Sequence, residues 1–173
     1  MPAGLDGCAA VLAYTGTGRE LVARLKYRNA RGAVPVLAAA MADLVDRTTV
    51  DVVTWAPTSA VRRRRRGFDQ ARLLARAVAR RIDLPCCALL ARTPGPPQTG
   101  QARAARAEGP AFVALRRPAR RVLVVDDVIT TGATAVAAAF ALRAAGAVEV
   151  RALAAARTPL KATAALSDAA KDA

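Results

Sequence analysis

The sequence predicts an α/β fold in which a mostly parallel sheet carries helices on both faces. Three observations lead there. Residues 51–56, 121–127 and 148–155 are short segments rich in Val, Leu and Ala, the pattern of strands buried on both sides. Amphipathic segments of helical period separate them. The chain is 54% hydrophobic but only 3% aromatic, so its core is built from small aliphatic side chains that suit close helix-on-sheet packing.

The elements follow in order. Residues 11–14 read as a short strand, then Thr15-Gly16-Thr17-Gly18 turn into a helix carrying Leu21, Val22, Leu25 and Tyr27 among Arg19, Glu20, Arg24 and Lys26. This GxG opening is no dinucleotide fingerprint. Leu21 stands at the third glycine position, and no acidic residue ends a strand about 20 residues on. Residues 34–47 predict a second helix with Pro35 in its first turn. The strand 51–56 is broken by Pro57. Leu73, Leu74, Ala77 and Val78 mark a helix over 67–81 behind an arginine run, and 86–90 predict a short strand.

Residues 93–110 hold four prolines, three glycines and no apolar period, which predicts a long loop of the kind that serves function. The strand 121–127 is the clearest in the sequence. An Ala-rich helix over 133–145 follows, closed by Gly146, then the strand 148–155 and a polar tail from 158 to 173. No repeat or linker divides the chain, so residues 1–173 are expected to form one domain with a core over about 14–157.

Composition excludes several chemistries. The 173 residues contain no histidine, which removes Ser-His-Asp and Cys-His nucleophiles, HExxH zinc hydrolysis and the zinc deaminase site. Cys8, Cys86 and Cys87 form no CxxC pair and cannot build a four-ligand zinc site, so they read as reduced thiols. Neither a leader nor an apolar run of the ~18 residues a span requires is evident, and the expected location is cytoplasmic. Chemistry must therefore run on carboxylates, arginines, backbone amides or a bound metal.

The candidate site lies at residues 122–134, Val-Leu-Val-Val-Asp-Asp-Val-Ile-Thr-Thr-Gly-Ala-Thr. A buried strand ends in two adjacent carboxylates, Asp126 and Asp127, and a turn of Thr130, Thr131, Gly132, Ala133 and Thr134 opens into a helix. Ligands of open α/β sheets bind at the carboxyl ends of strands, and a helix N-terminus accepts anions. Hydroxyl donors around a glycine suit a phosphate, and the acids suit vicinal hydroxyls or a divalent cation. Together they describe a ribose 5-phosphate. The competing reading is a capped helix beside two incidental acids, although adjacent buried carboxylates repel each other without a ligand.

This segment resembles the motif by which type I phosphoribosyltransferases bind phosphoribosyl pyrophosphate (PRPP). It lacks the Gly-Lys-Ser/Thr of a Walker loop. Arg24-Leu25-Lys26-Tyr27, Trp55-Ala56-Pro57-Thr58, Arg66-Gly67-Phe68-Asp69-Gln70, Arg92 with Gln98, Gly100 and Arg106, and Ala111-Phe112 further resemble the ComF family. Its members are phosphoribosyltransferase-like proteins named for competence in DNA uptake. The chain looks like a short form, without the four-cysteine zinc ribbon many relatives carry at the N-terminus. Gln101 and Glu108 depart from the usual loop pattern of Leu and Asn.

The resemblance implies a type I phosphoribosyltransferase-like fold and Mg²⁺-dependent transfer of phosphoribosyl to an acceptor, with release of pyrophosphate. It implies that Asp126 and Asp127 hold the ribose hydroxyls and that Thr130, Thr131, Gly132, Ala133 and Thr134 hold the 5-phosphate. Ala56, Pro57, Thr58 and Ser59 take the pyrophosphate-loop position, with backbone amides facing the leaving group, and Arg66 joins them. Asp126, Asp127 and Arg106 form the catalytic set, the loop with Arg103 and Arg106 acting as a lid. Mg²⁺ rides on the pyrophosphate, with Asp126 and Asp127 as candidate ligands. Such a reaction needs no histidine. A silent PRPP- or nucleotide-binding protein in DNA uptake or nucleic-acid processing is the alternative.

The charge of +14 and the run Arg62, Arg63, Arg64, Arg65 and Arg66 leave three readings open: a solvated basic surface, non-specific contact with nucleic-acid phosphates, or a role for the last arginines at the pyrophosphate. Only six aromatic residues are available as stacking platforms for single strands. The assembly state is open as well, with a homodimer one option.

Overall fold

The computed structural model describes residues 2–25, 32–93 and 110–159. Its elements are β1 (Gly7–Ala13), α1 (Gly16–Leu25), α2 (Ala33–Ala42), β2 (Val52–Trp55), α3 (Ala60–Arg66), α4 (Gln70–Arg81), β3 (Leu90–Arg92), β4 (Phe112–Ala114), β5 (Arg121–Ile129), α5 (Ala133–Ala144) and β6 (Glu149–Arg157). Strands β1, β6, β5 and β2 form a parallel sheet in that order, and β3 pairs with β4 as a separate antiparallel hairpin. The α/β class and the largely parallel sheet are as expected.

The alternation along β5 explains the two layers. Leu123 and Val125 face a core with Val22 of α1, Leu37 and Met41 of α2, and Leu74 and Val78 of α4. Val122 and Val124 face the opposite core with Ala138, Ala139 and Leu142 of α5 and with Leu90 and Phe112 of the hairpin. Both sides of the strand are sealed from water, which is why it reads as an uninterrupted Val/Leu run. The Ala-rich stretches of α5 and β6 let helix and sheet approach closely, so the core closes with very few aromatic rings.

Several boundaries differ from the sequence expectation, each for a tertiary reason. β1 begins at Gly7 rather than 11, because Gly7, Cys8 and Ala9 pair with Arg151, Ala152 and Leu153 of β6, although such small residues carry little strand preference of their own. The helix expected to reach 47 stops at Ala42. Asp46 then accepts from the backbone N–H of Thr48 (2.9 Å) and from its hydroxyl (2.6 Å), folding residues Arg47–Thr49 into a 3₁₀ turn. The helix expected from 67 starts at Gln70: Gly67 adopts the left-handed conformation (φ 78°), and Asp69 caps the new helix. The arginine run thereby becomes the separate short helix α3.

The strand expected over 86–90 shifts to β3. The Val53 N–H donates to the Pro85 carbonyl (2.9 Å), and the Cys87 N–H donates to the Val53 carbonyl (2.9 Å), so the chain runs briefly beside β2 before leaving it. It then pairs with β4, just beyond the loop expected over 93–110, where the sequence predicts no element. Cys8, Cys86 and Cys87 are free thiols, and burial pushes the Cys86 thiol up. No helix among the described residues is long and apolar enough to cross a membrane.

Candidate functional site

Parallel pairing of β2 with β5 sets Trp55 beside Val125, so both chains leave the sheet at the same edge. The Ala56 N–H donates to the Val125 carbonyl (3.3 Å), tying the start of one loop to the end of the other strand. Beyond that point β5 continues on β6 alone, carrying Asp126 and Asp127 past the end of β2. A cleft of about 220 Å³ opens there. Ala56, Pro57 and Thr58 form one wall, and Asp126, Asp127, Val128, Thr130 and Thr134 the other. Arg62, Asp69, Gln70, Ala71 and Arg92 complete it.

The Asp126 carboxylate is electrostatically disfavoured. Burial pushes the Asp126 carboxyl well above the ordinary range; the neighbouring Asp127 charge raises it further, and Asp69 adds to the effect. One oxygen of Asp126 accepts the backbone N–H of Asp127 (2.8 Å), which offsets only part of this. A pair of ribose hydroxyls or a cation would relieve it. Among the described residues no group of three or more acidic, Cys or His side chains is placed to hold a metal by itself. Two adjacent carboxylates fit Mg²⁺ of the kind that takes most of its ligands from substrate phosphates and water.

The turn after β5 is built around Gly132, which takes φ 86° at the cap of α5. The Thr131 hydroxyl accepts the Ala133 N–H (3.3 Å), holding the turn open toward the helix axis. A small pocket of about 20 Å³ is lined by residues 128–135 together with Asp126. Pro2 approaches the turn so closely that a Cβ on Gly132 would lie 2.7 Å from its ring.

Asp69 links the walls. Its carboxylate accepts the Thr58 N–H (3.0 Å) and the Arg72 N–H (3.3 Å), fastening the loop after β2 to the first turn of α4. The Arg72 guanidinium lies 5.6 Å from the centre of the Trp55 ring and secures the same junction. Across the cleft, Arg92 rests 6.0 Å from the centre of the Phe112 ring. Burial lowers its pKa, the positive charge of Arg62 lowers it further, and Asp126 opposes both.

The family profile described as phosphoribosyl transferase domain matches residues 69–169, more than half of the chain. The chain belongs to the phosphoribosyl transferase domain family. No curated protein sequence matches it. Among solved structures it is similar to a glutamine phosphoribosylpyrophosphate amidotransferase from B. subtilis, complexed with ADP and GMP. The two are 23% identical with a TM-score of 0.53, over 76% of this chain and 30% of that one. A purine phosphoribosyltransferase from Pyrococcus horikoshii Ot3 is 17% identical with a TM-score of 0.41, over 74% of this chain and 82% of that one. The first likeness is one of fold, and this phosphoribosyl transferase domain spans less than a third of that neighbour's length.

Most of the expected site residues converge. Ala56, Pro57, Thr58, Asp126, Asp127, Thr130 and Thr134 share the cleft, and Thr131, Gly132 and Ala133 line the small pocket beside it. Ser59 is not among the lining residues; its hydroxyl accepts the Arg62 N–H (3.3 Å) and caps α3. Arg66 ends α3, but its side chain lies outside the described part of the structure, as do Arg103 and Arg106. The sequence did not assign Asp69 or Arg92 to the site, and Arg62 entered only as part of the arginine run with its three open readings. The available signals were an Asp ahead of the apolar helical stripe, the residue type that caps helix starts, and an arginine at the mouth of a long loop.

Proposed function

We propose that this chain binds PRPP in the cleft at the β2–β5 edge and transfers its phosphoribosyl group to an acceptor, as a Mg²⁺-dependent enzyme resembling the ComF family. One observation carries the reading. The carboxylate pair and the glycine–threonine turn stand at one strand end, facing the loop after β2 across a single cleft. Their chemistries suit ribose hydroxyls, a 5-phosphate and a leaving group in sequence.

Asp126 and Asp127 accept hydrogen bonds from the 2′ and 3′ hydroxyls and fix the sugar. Thr130, Thr131, Gly132, Ala133 and Thr134 hold the 5-phosphate through hydroxyls and the N–H groups at the start of α5. With both ends anchored, C1 points toward residues 56–58. The C1–O bond breaks with its electron pair leaving on pyrophosphate, and the acceptor's lone pair forms the new bond to C1. Positive character grows on the sugar beside two carboxylates, which favours the transition state over the ground state. When bound, Mg²⁺ neutralises leaving-group charge, and Asp126 and Asp127 are the residues that would hold it. On the resemblance, Arg106 closes over the site and excludes water.

A second reading rests on the exposed side chains of Arg63 and Arg64 on α3, which suit phosphates of nucleic acid in a catalytically silent binding protein. The two part on one assay. Incubation with PRPP, Mg²⁺ and a panel of bases and amines should release pyrophosphate in step with loss of one acceptor. Absence of release with every acceptor, alongside salt-dependent DNA binding lost on R63A/R64A substitution, would favour the second reading.

A further inference from the structure

The outer face of α4 carries a row of positive charge without acidic partners. Arg72, Arg76 and Arg80 recur at every fourth position, one helical turn apart, and all three are exposed. Like charges at this spacing repel, and α4 itself contains no acid. The ion pairs among the described residues are Arg121–Asp51, Arg143–Asp6 and Arg151–Glu149, so none of the three is neutralised. A groove of about 430 Å³ lies beside the row. Val34 and Pro35 of α2 and Leu73 and Ala77 of α4 give it apolar walls, and the exposed Arg80 and Arg81 complete it. The two helices meet alongside through Leu37, Met41, Leu74 and Val78, and Arg81 donates to the Pro35 carbonyl (3.1 Å), which fixes both walls. Val36, next along α2, is 71% exposed.

We propose that this face of α2 and α4 docks an amphipathic helix of a partner protein, its apolar side chains set into the groove and an acidic row paired with Arg72, Arg76 and Arg80. Acids one turn apart on the incoming helix match arginines one turn apart on α4. Charge complementarity also selects the occupant. Among the described residues no helix of this chain carries an acid except α1, with Glu20 alone, so the helices of a second copy have no acidic row to offer. Of the segments outside the described residues, 26–31 and 94–109 are net basic and 160–173 are neutral overall. A nucleic-acid backbone would answer the arginines but leave the apolar walls of the groove facing water. The groove shares no lining residue with the cleft at the β2–β5 edge, so this surface is independent of the PRPP reading.

Fluorescence anisotropy on the whole chain tests this with a labelled synthetic peptide of about four helical turns, Leu along one face and Glu at i, i+4 along the adjoining face. The same composition in scrambled order should bind about tenfold more weakly, because charge alone does not fill the groove. Exchanging the peptide's Leu for Ser should cost about tenfold as well. R76E/R80E, two changes at exposed positions, should weaken the ordered peptide about tenfold and bind its Lys-for-Glu counterpart more tightly than the parent does. Equal binding of the scrambled peptide, or unchanged affinity in R76E/R80E, overturns the proposal. So does a single-stranded oligonucleotide that binds the parent more tightly than the peptide and loses that binding in R76E/R80E, which would assign the face to nucleic acid. A concentration-dependent dimer abolished by R76E/R80E would assign it to a second copy, and a peptide of residues 158–173 binding as tightly as the acidic one would assign it to the chain's own tail; either result overturns the partner helix.

Discussion

Replacing Gly132 by Ala perturbs the turn proposed to hold the 5-phosphate at its conformational centre. The residue sits at φ 86°, where an L side chain costs roughly 1–2 kcal/mol. Against this, Ala reduces the freedom of the unfolded chain by roughly 0.4–1 kcal/mol. Strain wins, and the net loss is about 1 kcal/mol, or roughly 2–4 °C in melting temperature for a chain of this size. A steric effect adds to it. The new Cβ would lie 2.7 Å from Cγ and 3.0 Å from Cβ of Pro2, so the N-terminal segment must move away. Either adjustment displaces the N–H groups proposed to hold the 5-phosphate, and ribose 5-phosphate affinity should drop by about tenfold, one charge-assisted contact. Thermal denaturation and calorimetry on G132A measure both quantities. Adding P2G should restore the part due to contact and leave the part due to strain. G132A with unchanged melting temperature and unchanged affinity would refute the reasoning.

Other outcomes follow from the packing and charge arrangement. Leu142 is fully buried between α5 and the sheet, and L142A should cost ~2–5 kcal/mol in denaturant unfolding. Asp51 is held below the usual carboxylate range by its hydrogen bonds to Arg121, so its contribution is complete at neutral pH. That contribution disappears as pH falls below about 3.9 and through the lower folded value, and D51N should flatten the acid limb of a stability–pH curve. Asp126 has the opposite sign. Its raised pKa means that the ionised form is penalised in the fold, so D126N should raise the melting temperature of the ligand-free protein even as it impairs binding.

How much of this was legible in the sequence divides along physical lines. The strand–acid–turn–helix segment at 122–134 was readable because its information is local: a Val/Leu run, two acids, a glycine that must turn, and an Ala helix. The fold class followed from the same kind of run repeated at β2 and β6. Three-residue strands were not readable. β3 and β4 hold each other through cross-strand pairing between Arg92 and Phe112, residues 20 positions apart, and no period survives in so short a stretch. The extension of β1 to Gly7 was hidden for a related reason, since its small residues are ordered by β6 rather than by propensity. Arg92 reaches the cleft only because that hairpin forms. Arg62 comes to line the cleft because Ser59 caps α3 and Gly67 ends it, which fixes the phase of that short helix. In Asp69 the cap was legible, but the second partner, Thr58, lies 11 residues back and depends on how α3 folds.

The Asp126–Asp127 pair and the turn behind it are the proposed PRPP site. Titration of the protein with PRPP in the presence of Mg²⁺, repeated on D126N/D127N, tests it most directly. Removing two charged acceptors at ~1.5–3 kcal/mol each should weaken binding by about a hundredfold or more. Saturable binding to the parent protein and its near loss in the double variant are expected. Equal affinity in the two proteins would place PRPP elsewhere or exclude it.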